Sequence, residues 1–289
     1  MKEKLKLFAR CAGLVLTGKI VKSIDIADSY SRIADNYDRY FMSKMRMHND
    51  TVLEHVCKAI PEKLRYQVID LGCGTGYNTQ YLQANLPKSD YYLVDTSEKM
   101  LQYAENSVNR TRCHFINSDM LKYLKSCPDE SADIIVCNWA IMYKRPKRII
   151  KECSRIMKKR GVMAVAVSTK NSFPEVWNIY SELLTENIGM VNKYMRKLHN
   201  PRSGRQLQRW FVKNGFKPLM VRSGSHSFKF KSAEKLTNFI TGTGALAGFD
   251  IMLDLNSESI KKQITAYFDN SHIDETTYKF VYGIFRRRY

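Results

Sequence analysis

The feature that most restricts this 289-residue chain is the run Asp70-Leu71-Gly72-Cys73-Gly74-Thr75-Gly76, which follows the apolar stretch YQVIDL and precedes a helical pattern at about 77–86. Glycines let a chain leave a strand in a sharp turn and let a ligand touch the backbone, while the following helix N-terminus supplies oriented N–H groups. A nucleotide-like ligand is expected there. The run does not complete a Gly-x-Gly-x-x-Gly dinucleotide fingerprint, because Thr79 stands three positions after Gly76. A second carboxylate, Asp95, ends the next apolar run about two dozen residues on, where a side chain can accept both hydroxyls of a ribose. The competing reading of Asp95 as a helix cap is weakened by Ser97, the better N-cap in DTSEKML.

From about residue 66, short apolar runs alternate with helical segments, the pattern of a parallel sheet with crossover helices. Strands are expected at about 66–71, 91–95, 112–116, 132–137 and 161–168; stretches 217–223 and 278–285 complete a seven-stranded sheet, with a helix at about 203–214. The fold class is α/β, a doubly wound and mostly parallel sheet. Residues 1–50 are expected to form an N-terminal helical cap segment on a domain over 51–289, and 171–202 an inserted cap after the fifth strand. Near the N-terminus, Leu5, Phe8, Ala9, Ala12, Val15, Leu16 and Ile20 share one helical face opposite Lys6, Arg10 and Thr17. That pattern predicts a basic amphipathic helix, read as a cap or as packing on the main domain ahead of membrane binding.

Seven cysteines without a Cys-x-x-Cys fit neither a disulfide framework nor a zinc site, so they are read as reduced thiols in a cytoplasmic protein with no structural metal. The net charge of +19 favours acidic partners, whether an anionic small molecule, an acidic carrier protein, RNA or a lipid surface.

The motifs resemble class I S-adenosylmethionine-dependent methyltransferases, in particular the group with ubiquinone/menaquinone C-methyltransferases and malonyl-carrier-protein O-methyltransferases. VIDLGCGTGYNTQYL is similar to that family's first motif, YLVDTSEKMLQYA to its second, NSDM to its third and ADIIVCNWAIMY to its fourth, and IADNYDRYF resembles its N-terminal segment. The resemblance covers about residues 30–170. It implies a Rossmann-like methyltransferase fold with S-adenosyl-L-methionine as cofactor. Asp70 and the loop Gly72, Cys73, Gly74 and Gly76 would hold the methionine portion, and Asp95 the ribose hydroxyls. Thr96 and Met100 would pack beside the adenine, with Asp119 accepting from its amino group and Ser118 and Met120 flanking the ring. Asn138 would lie on the sulfonium side, and Tyr37 would close the pocket. For Met100 and Met120, core packing competes evenly with contact to the ring.

Methyl transfer from a sulfonium is a direct displacement, so the enzyme mainly aligns the acceptor and excludes water. An acceptor that loses a proton benefits from a base, whereas a carboxylate does not. Tyr143 and His199 are the candidate catalytic side chains, with Tyr30 and Tyr37 as further candidates. Where nucleobase amino-methyltransferases carry Asn-Pro-Pro-Tyr, this chain reads NWAI, which argues against that class. One basic stripe, Lys144, Arg148, Lys151, Arg155 and Lys158, is read as a solvated helix face; another cluster around Arg196, Lys197 and Arg202 suits an anionic acceptor. The expected activity is methylation of a small metabolite or biosynthetic intermediate, on oxygen or carbon. Alternatives are methylation of a carrier-bound acyl group or of RNA, and a cofactor-binding protein without turnover.

Overall fold

A computed structural model describes residues 2–288; Met1 and Tyr289, the ends of the two expected segments, lie outside the described residues. The chain opens with α1 (Lys2–Leu16), α2 (Ser23–Tyr37), a π-helical turn (Asp38–Met42) and α3 (Ser43–Ala59). Strand and helix then alternate through β1 (Gln67–Leu71), α4 (Tyr77–Asn85), β2 (Asp90–Asp95), α5 (Glu98–Ser107), β3 (Cys113–Asn117), α6 (Met120–Ser126), β4 (Ala132–Asn138), α7 (Pro146–Ile156) and β5 (Met157–Ser168). They are followed by α8 (Pro174–Glu186), α9 (Gly204–Val212), β6 (Phe216–Lys229), α10 (Ala233–Gly242), α11 (Phe249–Met252), α12 (Glu258–Asn270) and β7 (Glu275–Arg287).

The seven strands form one sheet in the order β3-β2-β1-β4-β5-β7-β6. Pairings among β1 to β5 are parallel, and β7 runs antiparallel to β5. All residues of β4 are buried, so both of its faces are covered, and this is why it reads as a continuous apolar run. On one face Ile69, Leu71, Ile135, Cys137, Met163 and Val165 join a core with Leu124 of α6, Ile149 and Cys153 of α7, and Leu207 and Phe211 of α9. On the other, α3 packs on β5 and on α4. Strand β5 begins at Met157 rather than near 161, because Met157 pairs with Ala132 before the register shifts to Val162 opposite Ile134. Lysines 158 and 159 and Arg160 occupy that bulge, and their charge hides the strand from a hydropathy reading.

The described residues form two compact units. One holds most of the sheet and comprises 43–171, 198–224 and 279–288; the other is mainly helical, takes the ends of β6 and β7, and comprises 2–42, 172–197 and 225–278. This division differs from the segments expected at 1–50, 51–289 and 171–202. Helix α3 joins the sheet unit because it buries Met45, Val52, Leu53 and Val56. Residues 225–278 group with the N-terminal helices because α10 packs on α12 and α2, and α12 packs on α8. Of the expected insertion, 172–197 lie in the helical unit. There the outer face of α1 carries Leu5, Phe8 and Leu16, which were expected to pack but point to solvent at 69, 71 and 87% exposure, while Leu14 turns inward.

Candidate functional site

Strands β1 and β4 are neighbours whose following connections lead to opposite sides of the sheet, so a crevice opens at their C-terminal ends. The glycine loop starts there. Gly72 has φ +70°, and a Cβ on it would stand 2.4 Å from that of Ala140, with the Met120 methyl 3.6 Å away. Its N–H donates to Val94 O at 2.7 Å, and Cys73, itself buried, donates to the same oxygen at 3.1 Å. Gly74 also has positive φ, +53°, but a Cβ there would meet nothing within 4 Å. Gly76, at φ +88°, is the N-cap of α4 and lies against Ala104. Only glycine takes three such conformations cheaply in five residues.

Two carboxylates fix this loop. Asp70 is buried and accepts from Asn78 Nδ2 at 3.1 Å and Thr79 Oγ1 at 3.0 Å, both in the first turn of α4. Burial, reinforced by the charge of Asp95, pushes its carboxyl up to about 6 against those two hydrogen bonds. Asp95 accepts from the Gly74 N–H at 3.0 Å and the Ser97 N–H at 2.9 Å. Burial raises its carboxyl too, and its partners are backbone amides rather than cations. Ser97 caps α5 by accepting from the Met100 N–H at 3.2 Å, so the capping role falls to it. Thr96 accepts from Asn117 Nδ2 through its carbonyl, beside Asp95.

At the end of β4, Asn138 is buried and donates to Asn78 Oδ1 at 3.0 Å, while its own Oδ1 has no partner among the described residues. Trp139 follows at φ +60°, a conformation that costs a residue with a Cβ about 1 kcal/mol or more. It is held by its N–H on Ala166 O at 2.7 Å, by its indole N–H on Asn49 Oδ1 at 2.8 Å, and by edge contact with Phe280. Strain is thus stored next to an unpaired buried acceptor. Sequence reading missed Asn49, Asn78, Thr79 and Trp139, although two polar residues in the first turn after the glycine loop were a usable signal.

The third motif behaves differently. Asp119 is the N-cap of α6, accepting from the Leu121 and Lys122 N–H groups, and its second oxygen pairs with Lys144. Burial alone would raise its carboxyl, but Lys144 and the amides hold it below the usual range. Lys144 therefore leaves the expected solvated stripe. Arg155 and Lys158 leave it as well, through Asp129 and Glu152 and through Asp133. The Ser118 N–H donates to Asp95 O at 3.0 Å, Met120 lies half-buried near Gly72, and Met100 is 1% exposed, a core position.

Tyr143 ends a 3-10 turn (Ile141–Tyr143), and the His199 N–H donates to Met142 O at 3.0 Å, so the fold brings the two candidate catalytic positions to adjoining strands of backbone. Tyr37 belongs to the helical unit, where its ring meets Tyr30 at 6.0 Å and Phe41 at 5.5 Å. In that unit Lys193 pairs with Asp25 at 2.5 Å, and Trp177 and Tyr180 pack edge-on against Phe249. Tyr180 is core of the helical unit, and Trp177 lies half-buried beside it.

Residues 69–165, which span this crevice, match the family model described as a methyltransferase domain. The malonyl-[acyl-carrier protein] O-methyltransferase of Brevibacillus brevis is 19% identical over 89% of this chain and 94% of its own length. That of Halalkalibacterium halodurans is 25% identical over 44% of this chain and 47% of its own length. Among solved structures, the geranyl diphosphate C-methyltransferase of Streptomyces coelicolor A3(2), crystallised with S-adenosyl-L-homocysteine, superposes with a TM-score of 0.50 at 15% identity, covering 84% of this chain and 76% of that one. The YcgJ protein of Bacillus subtilis superposes with a TM-score of 0.51 at 16% identity, covering 83% of this chain and 99% of that one.

Proposed function

We infer an acceptor from the premise that this chain is an S-adenosylmethionine-dependent methyltransferase: it methylates an oxygen or carbon of an anionic biosynthetic intermediate, a carboxylate being the simplest case. The cofactor side of this reading is carried by the pair Asp70 and Asp95, two carboxylates held by neutral donors around an open glycine loop, and the anionic acceptor is supported by the net charge of +19. The cofactor supplies a methyl group already activated by positive sulfur.

The residues fit that cofactor. Beside Gly74 the space a side chain would fill is open, and the buried Oδ1 of Asn138 awaits a donor. Asp70, Gly72, Cys73, Gly74 and Gly76 would hold the methionine portion, and Asp95, with lone pairs beyond the two amides it accepts, the ribose hydroxyls. Thr96 and Ser118 stand beside Asp95, and Met120 offers an apolar wall. Asp119 recognises the adenine amino group only with the oxygen capacity that Lys144 and the α6 amides leave.

No proton need leave a carboxylate acceptor, so a base is dispensable for that substrate. For an acceptor that does lose a proton, Tyr143 and His199 are the proposed groups. A specific second reading is an acyl group on an acidic carrier protein. It is supported by the alignment with the Brevibacillus enzyme over 89% of this chain and by the net charge of +19. Among the described residues no helix is long and apolar enough to cross a membrane, and the seven cysteines are free, which suits a reducing compartment such as the cytoplasm.

Calorimetric titration with S-adenosylhomocysteine, with NADH as control, tests the cofactor site; binding of NADH alone sinks it. Transfer of labelled methyl to malonyl-acyl carrier protein, set against free dicarboxylic acids, then separates the two acceptor readings. Labelling of neither counts against a carboxylate.

A further inference from the structure

Helix α1 has two apolar faces. Leu7, Cys11 and Leu14 recur at i, i+4 and i+7 and turn inward, and the Arg10 side chain ties the helix to Val191 O at 3.0 Å. The other face presents Leu5, Phe8, Val15 and Leu16 at 69, 71, 42 and 87% exposure, and Ile24 at the start of α2 is 62% exposed. Such a run is a patch with a purpose or a liability rather than scattered surface.

The helix does not depend on that face to form. Gly18 at φ +71° ends it, and the next residues are pinned by the Val21 N–H on Tyr194 O at 3.0 Å and the Tyr194 N–H on Lys19 O at 2.9 Å. Its 15 residues make a rod of about 22 Å. The charge around it is one-sided. From residue 2 to residue 24 there are six lysines and arginines and a single acid, Glu3, which is paired with Lys6. At 100° per residue Lys2 and Lys4 fall on either side of the apolar strip.

We propose that α1 is an interfacial anchor, laying Leu5, Phe8 and Leu16 into an anionic lipid surface with its lysines at the headgroups. A second copy of the chain is a poorer occupant, because pairing two such faces would bring like charges together, whereas anionic lipid neutralises them. The face is preformed, so binding carries no cost of folding the helix.

The test is flotation of the full chain with vesicles of phosphatidylcholine alone and with phosphatidylglycerol added. The anionic vesicles should bind at least about tenfold more tightly, and high salt should release the protein. The exposed-face variant Leu5→Gln/Phe8→Gln/Leu16→Gln should lose at least about tenfold in vesicle affinity while keeping the wild-type melting temperature and S-adenosylhomocysteine affinity. Lys2→Gln/Lys4→Gln/Lys6→Gln should lose the preference for anionic lipid. Equal partition between the two vesicle types, or a triple-Gln face that floats like wild type, overturns the anchor. So does light scattering that finds a dimer which the apolar-face variant dissociates, since the face is then a protein contact.

Discussion

Apart from Asp119 beyond β3, which Lys144 holds, the two ends of the parallel strands treat their carboxylates in opposite ways. At the N-terminal end, Asp90 accepts from both Arg65 Nε and Nη2 at 2.6 Å, with Arg112 at 3.6 Å. Asp133 there lies between Lys63 at 2.5 Å and Lys158 at 2.9 Å. The Arg65 fork holds Asp90 below the usual carboxylate range, and the two lysines do the same for Asp133 in spite of its burial. At the C-terminal end, the partners of Asp70 and Asp95 among the described residues are amides and a hydroxyl, and burial raises both. A carboxylate already neutralised by cations staples strands together. One held by neutral donors keeps its charge available to a ligand, at a cost to the fold.

The comparison breaks most severely at the glycine loop. Gly72→Ala would place a Cβ 2.4 Å from Ala140 in a left-handed conformation, so overpacking and strain together should cost about 3 kcal/mol and abolish S-adenosylhomocysteine binding. Gly74→Ala meets no neighbour, and left-handed strain alone costs it about 1 kcal/mol, yet it fills the proposed cradle. Chemical denaturation and calorimetry on the pair separate the two effects. A Gly74→Ala protein that binds S-adenosylhomocysteine like wild type removes the loop from the cofactor site.

The next effect in size is Asp95→Ala. Removing a charged acceptor from ribose hydroxyls should weaken S-adenosylhomocysteine by roughly 1.5–3 kcal/mol, about ten- to a hundredfold, part of it from freeing the Gly74 amide. Asp133→Asn is the counterpart at the other end. It should cost about 1–2 kcal/mol of stability, a value reduced because Lys63 and Lys158 are partly solvated, and leave ligand affinity unchanged. A loss of ligand affinity in Asp133→Asn would mean that the two ends are not independent.

How much of this contrast was legible depends on range along the chain. The glycine loop, Asp70, Asp95 and the Ser97 cap lie in contiguous motifs, and the strands declare themselves as apolar runs. What the sequence withheld was pairing across space. Lys144 reads as one more cation of a helical stripe until α6 brings Asp119 to it. Helix α3 reads as part of an N-terminal segment until it buries Leu53 and Val56 against the sheet unit. Residues 225–278 carry three helices that received no assignment, and they group with the N-terminus through packing of α10 on α2. The outward face of α1 misled for another reason: amphipathic periodicity marks a helix as two-faced without saying which apolar stripe is covered, and the short stripe Leu7, Cys11, Leu14 won.

The most discriminating expected effect is on pH dependence. With its carboxyl at about 6 in the folded chain against an ordinary value near 3.8, Asp70 holds a proton in the native state that the unfolded chain gives up sooner. Its contribution to stability is therefore full below the ordinary carboxylate range and is lost as pH rises toward 6. Asp90 and Asp133 have the opposite sign, since their lowered carboxyls contribute above the ordinary value and lose that contribution as pH falls. Asp70→Asn mimics the protonated form, so its stability relative to wild type should climb between pH 4 and 6 and then level off. Asp133→Asn should instead lose its deficit as pH falls below the ordinary carboxylate range, because wild type surrenders the same ion pairs there. Denaturation midpoints for both variants across pH 3 to 8 are enough to decide. If the Asp70→Asn difference stays flat through that window, its charge is compensated in the fold, and the C-terminal end of the sheet is no less neutralised than the N-terminal one.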